Sequence, residues 1–144
     1  MRVMVMVKAT KATEAGEMPG EKLLTDMGKF NEELVKAGVI LAGEGLHPSS
    51  RGARVRFSGS KRSVIDGPFS ETKELVSGFW IIQVKEMDEA VAWASRIPFH
   101  DGETVELRRI VAAEDFGEAF TPELQEKEEA MRRAGEEIAA GSKP

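Results

Sequence analysis

The sequence predicts an α+β fold of the ferredoxin-like kind, βαββαβ, with a β-hairpin inserted between its second and third core strands. Three observations predict it. Strand-like and helix-like segments alternate as strand, helix, strand, hairpin, strand, helix, strand, and removing the hairpin leaves the split βαβ order. The core strands are apolar on both faces, which asks for helices on one side and further cover on the other. A chain of 144 residues is long enough to bury one real core.

Taken in order, Met1–Lys8 places Val3, Val5 and Val7 on one face and Met4 and Met6 on the other. Ala9–Gly20, with Gly16, Pro19 and Gly20, reads as a loop. A helix is predicted over about Glu21–Ala37, with Leu23, Leu24, Met27, Phe30, Leu34 and Val35 as its apolar stripe and Gly38 as its stop. Val39–Leu46 follows as a strand. There Gly43 and Gly45 flank Glu44, so another backbone or a ligand can approach closely.

His47-Pro48-Ser49-Ser50 ends that strand. The hairpin is predicted over Ala53–Phe57 and Arg62–Asp66 around a Ser58-Gly59-Ser60-Lys61 turn. Arg54 and Arg56 take one face, Val55 and Phe57 the other. Val76–Lys85, rich in aromatic and β-branched residues, is the central strand. Asp88 is the predicted N-cap of a helix over Glu89–Arg96, which Pro98 halts, and Thr104–Val111 closes the core.

The C-terminal stretch differs in charge. Residues 114–137 carry nine acids and three bases, a net −6 out of −5 for the whole chain, so the remainder is near +1. Such a distribution lacks the basic face of a nucleic-acid binder, and no nucleic-acid partner is expected. Thr121-Pro122 is a helix start. A thin stripe of Leu124, Met131 and Ile138 predicts a helix over about Pro122–Ala140 that docks weakly on its own core or on a partner.

The absence of cysteine excludes disulfides, thiol nucleophiles and thiolate metal sites. No apolar run approaches the ~20 residues of a membrane span, and the N-terminus lacks a signal-peptide pattern. No membrane partner is expected, and the protein is read as cytoplasmic.

Between the hairpin and the central strand lies the run Asp66-Gly67-Pro68-Phe69-Ser70-Glu71-Thr72-Lys73-Glu74. Asp-Gly-Pro is turn chemistry, Phe69 is an apolar anchor, and the charged residues after it mark a candidate functional loop. Asp66 is a candidate general base or acceptor, or alternatively a brace for its own turn. His47 is a candidate for proton transfer near neutrality. Glu44, Glu71, Lys73 and Glu74 are candidates for binding a polar ligand. Arg108 joins them as a ligand contact or as an ion-pair partner of Glu71 or Glu74. His100 beside Asp101 reads as a surface residue. Two distant histidines make no metal site, and neither a metal nor a cofactor is expected. No phosphate-loop pattern is present.

That run resembles the signature of the DGPF-type, YCII-related domain family. Gly43-Glu44-Gly45-Leu46-His47-Pro48, Val76-Ser77-Gly78-Phe79-Trp80, Asp88-Glu89-Ala90-Val91-Ala92-Trp93-Ala94, Pro98 and Val105-Glu106-Leu107-Arg108 resemble its flanking segments in the same order. The resemblance covers about residues 1–112 and leaves 113–144 as an acidic helical extension. It implies a ferredoxin-like subunit in a dimeric α+β barrel, and no known reaction. The broader YCII-like group pairs a His near the first helix with an Asp before a Pro. Here the first helix has no His and Ile97 precedes Pro98, so that dyad does not carry over.

The functional expectation is a homodimer that binds or transforms a small polar molecule in a cleft near the Asp66–Phe69 loop. The alternative, from the association of some family members with sigma factors, is a non-enzymatic accessory protein in transcription regulation. Whether the protein is an enzyme is open at this level.

Overall fold

The computed structural model describes residues 1–141 of the chain. The last three residues of the predicted C-terminal extension lie outside the described residues. Contacts divide the chain into two units, Met1–Ile110 and a second beginning at Val111.

The first unit contains β1 (Arg2–Lys8), α1 (Lys11–Glu14), α2 (Glu21–Lys36), β2 (Ile40–Gly45), β3 (Ala53–Ser58), β4 (Lys61–Asp66), β5 (Val76–Gln83), α3 (Met87–Ala94) and β6 (Val105–Arg109). Four strands form one antiparallel sheet in the order β2-β5-β1-β6. This is the ferredoxin-like arrangement. The sheet stays open within the chain, with β2 and β6 as its edges, and does not close into a barrel. The inserted hairpin β3–β4 is a separate two-stranded sheet.

Strand alternation sorts the side chains. Val5 lies opposite Trp80 and Leu107, and Val3 opposite Ile82. These face the helices and bury with Phe30 and Leu34 of α2 and Ala90 of α3. Trp80 meets Phe30 edge to face at 5.8 Å, and its indole N–H donates to Asn31 Oδ1 at 2.9 Å. A buried indole therefore keeps a polar partner while its ring packs the core. Gly43 lies directly opposite Trp80. A Cβ there would stand 3.0 Å from the indole Cδ1, so this glycine makes room for the ring.

The other sheet face presents Met4, Met6, Phe79 and Ile81, which pair across β1 and β5 and are only partly buried. The helix stripe is narrower than the sequence predicts. Leu23, Met27, Phe30 and Leu34 point inward, but Leu24 and Val35 are 58% and 62% exposed. Each sits one residue past an inward position, a rotation of about 100° around the helix.

Three other expectations change in detail. Ala9–Gly20 is not all loop. Thr10 and Thr13 form a reciprocal capping box that starts the single-turn helix α1. Asp88 is not the cap of α3. The helix begins at Met87, and Glu89 Oε2 instead accepts the backbone N–H of Lys85 at 2.8 Å. Short 3₁₀ turns at Ser49–Arg51 and Thr72–Glu74 replace featureless loop.

The second unit holds a kinked run of 3₁₀ turns, Ala113–Ala119, and α4 (Pro122–Gly141). Thr121 Oγ1 accepts the N–H of Leu124, capping the helix that Pro122 starts. Glu123–Lys127, Glu128–Arg132 and Glu129–Arg133 pair one turn apart. Leu124, Met131 and Ile138 are all exposed. Among the described residues no helix is long and apolar enough to cross a membrane.

Candidate functional site

The Asp66–Phe69 loop is held by a three-point bracket. The Glu14 carboxylate accepts the Ser49 backbone N–H at Oε1, 2.9 Å, and the Ser49 hydroxyl at Oε2, 2.5 Å. The same hydroxyl oxygen accepts the N–H of Phe69 at 3.0 Å. Beside it, Gly67 N–H donates to the Gly52 carbonyl at 3.0 Å. A hydroxyl that donates and accepts at once, with an ionised partner, makes short and strong bonds.

Gly67 is fixed sterically as well. A Cβ built there would lie 1.7 Å from the Ser49 carbonyl oxygen. The Gly67–Pro68 peptide is cis. The two stretches 47–52 and 66–69 are therefore in backbone-to-backbone contact, and only glycine fits at their crossing.

Two guanidinium groups sit on this frame. Arg54, on β3, lies over the Phe69 ring with its guanidinium carbon 3.7 Å from the centroid. Arg51 reaches the His47 ring, with Nη1 3.3 Å from Nδ1 and 3.4 Å from Nε2. Neither arginine has a carboxylate partner among the described residues. Arg54 is oriented by the Phe69 ring and leaves its in-plane donors to solvent, while Arg51 directs one Nη1 donor at His47 and keeps the others exposed.

The residues singled out in the sequence fall into two groups. Asp66, at the end of β4 opposite Ala53, and His47 belong to the bracketed region and are exposed. Glu71, Lys73 and Glu74 follow in the exposed 3₁₀ segment that leads into β5. Glu44 lies opposite Phe79 on β2, and its carbonyl would stand 3.0 Å from a Cβ at Gly78.

Arg108 belongs elsewhere. It pairs with Met4, which pairs with Ile81, five residues along β5 from Val76, a run of roughly 17 Å. Its partner is Glu106, at 3.3 Å, rather than Glu71 or Glu74. Glu106 also reaches Lys8, at 3.9 Å. Among the described residues no group of three His, Asp or Glu side chains is close enough to hold a metal.

A family model of the YCII-related domain matches residues 1–114. The chain belongs to the YCII-related domain family. A member from Rhizobium meliloti (strain 1021), the uncharacterized protein R00369, is 35% identical over 74 residues. That alignment covers 51% of this chain and 60% of the relative's length. The relative's name carries no activity over to this YCII-related chain.

Sequence reasoning missed four members of the site: Glu14, Ser49, Arg51 and Arg54 as ring-stacked cation. Glu14 is 35 residues from Ser49, and no spacing rule links an acid in one turn to a serine in another. The one available signal was Thr10-x-x-Thr13, a cap pattern that would have placed Glu14 on a helix.

A small apolar recess in the first unit lies away from these residues. A void of about 10 Å³ among Val5, Phe30, Leu34, Trp80, Ile82 and Trp93 is apolar and has room for no more than one water. The second unit carries an open groove of about 730 Å³ between Ala113, Phe120 and Gln125, which includes none of the predicted residues. The bracketed loop is an exposed polar surface.

Proposed function

We propose that this YCII-related protein is a homodimer that binds a small anionic molecule, a carboxylate or phosphate compound, on the surface beside the Asp66–Phe69 loop. The observation that carries the ligand reading is the pair of guanidinium groups, Arg51 and Arg54, held against His47 and Phe69 without carboxylate partners. Arg54, stacked on the Phe69 ring, keeps its in-plane donors free, and Arg51 keeps those that His47 does not engage, an arrangement that receives an oxyanion. Asp66, His47, Glu71 and Lys73 surround this region as polar contacts for the rest of the ligand.

The dimer reading rests on the uncovered sheet face of Met4, Met6, Phe79 and Ile81. A second copy packing face to face covers it by twofold symmetry.

A thermal-shift panel of small carboxylates, phosphate esters and neutral analogues tests the ligand reading. A ligand that binds only the folded state at 100 times its Kd adds about 2.7 kcal/mol of apparent stability. Anionic compounds should raise the melting temperature of the wild type and not of Arg54→Ala or Arg51→Ala. Equal shifts with neutral analogues, or anion shifts that survive both substitutions, would refute it. Asp66→Ala separates ligand contact from turn bracing: the first lowers only the shift, the second lowers the unliganded melting temperature.

A further inference from the structure

The hairpin β3–β4 has two unlike faces. The pairing Val55–Val64 and Phe57–Arg62 puts Arg62, whose guanidinium carbon lies 4.4 Å from the Phe57 ring centroid, on one face with the apolar Val55, Phe57 and Val64. They are 53%, 70% and 68% exposed. The opposite face carries Arg54, Arg56 and Lys61 with Ile65. Between residues 51 and 66 there are five cations and one carboxylate. A two-stranded hairpin gains little stability alone in water, and a contiguous exposed apolar face on one marks a contact surface.

Two features of the same unit say what covers it. The first is area. The open sheet face is four strands wide at about 4.8 Å spacing and about 20 Å long, roughly 400 Å² in plan. A stable specific interface buries about 800 Å² per partner. Sheet against sheet alone is a small contact on that scale, and a second apolar surface on each copy enlarges it.

The second feature is charge. Glu44 sits on the β2 edge of that open face and has no ion-pair partner among the described residues. Arg62, likewise without a carboxylate partner among the described residues, lies on the same hairpin face as Val55, Phe57 and Val64.

We propose that β3–β4 is an arm that closes over a second copy of this chain, laying Val55, Phe57 and Val64 along the β2 edge of the partner's sheet, beside the partner's Glu44. The arm rests on the homodimer reading given above and adds the element that completes the interface. Asp66, opposite Ala53, shares the face laid on the partner, while Arg54 and the ligand surface it marks stay on the opposite face of the hairpin.

The test separates the arm from the dimer. Sedimentation of the wild type comes first, and a monomer at about 100 μM overturns both readings. With a dimeric wild type, the Phe57→Ser/Val64→Ser variant should keep its far-UV circular dichroism, because both residues lie outside the core. Its dimer Kd should rise at least tenfold, about 1.4 kcal/mol. A folded variant that dimerises as tightly as wild type overturns the arm and leaves the dimer standing.

Since the chain has no cysteine, cross-linking decides independently, even if that variant fails to fold. Phe57→Cys protein mixed with Glu44→Cys protein should give a mixed disulfide on mild oxidation. A disulfide dimer from Phe57→Cys alone, with none in the mixture, places hairpin on hairpin and overturns the proposal. No disulfide in any mixture does the same.

Discussion

The hydroxyl of Ser49 accepts the backbone N–H of Phe69, twenty residues further along the chain, at 3.0 Å. That oxygen is at the same time a donor to Glu14. A single side chain therefore ties α1, the 3₁₀ turn after β2 and the loop before β5. Ser49→Ala should lower stability by about 1–3 kcal/mol, the range for a lost hydrogen bond to a charged group and an amide left without its partner. Urea denaturation measures it. A change below about 0.5 kcal/mol would show that water replaces the hydroxyl without cost.

Gly67→Ala tests the crossing of backbones. With the Ser49 carbonyl 1.7 Å from the added carbon, no rotamer relieves the clash and one chain must move. The expected cost is about 1–3 kcal/mol, with amide shifts in NMR spectra centred on Ser49, Gly52 and Phe69. A spectrum unchanged at those three positions would contradict the close approach.

Phe69 is half-buried beneath Arg54 rather than sealed in the core. Phe69→Ala should therefore cost less than the ~3–5 kcal/mol of a core phenylalanine. About 1–2 kcal/mol is expected, of which an exposed cation–π contact supplies ~0.5–1. A double-mutant cycle with Arg54→Ala isolates that part. A coupling of zero would mean the two groups only share space.

Trp80→Ala, by contrast, removes a buried ring that packs on Phe30 and bonds Asn31. The expected loss is about 3–5 kcal/mol. Asn31→Ala should cost about 1–2 kcal/mol, because it leaves the indole N–H unpaired. If Asn31→Ala is neutral by calorimetry, the indole finds water instead.

Deleting Thr121–Pro144 should leave the first unit folded, since its core residues all lie before residue 111. Circular dichroism and the melting temperature of the truncated chain check this. An unfolded product would show that the core needs the second unit.

The sheet and its helices were legible because apolar alternation and a 3.6-residue stripe act locally. Val3, Val5, Trp80 and Ile82 announce a helix-facing side, and Phe30 with Leu34 answers it. The cap at Thr121-Pro122 was legible for the same reason, since all its atoms lie within four residues. The edges of the stripe were not, because Leu24 and Val35 differ from Leu23 and Leu34 only by a rotation.

The loop was legible as a place, through Asp66-Gly67-Pro68-Phe69, and illegible as a machine. What holds it comes from Glu14 and Ser49, side chains brought together by tertiary folding alone. Arg108 shows the converse error. It looks adjacent to the acidic loop residues in a list of strands, but strand register carries it to the other end of the sheet.

Gly67 meets Ser49 main chain to main chain, and the Glu14 bracket grips Ser49 and the Phe69 amide rather than any of the exposed charges. Mounting and payload are thereby decoupled. Glu71 and Lys73 can each be exchanged for another side chain while the loop keeps its path. A library randomised at those two positions would retain one scaffold geometry and vary only the chemistry displayed on it, so this loop is a natural chassis for selecting new small-molecule receptors.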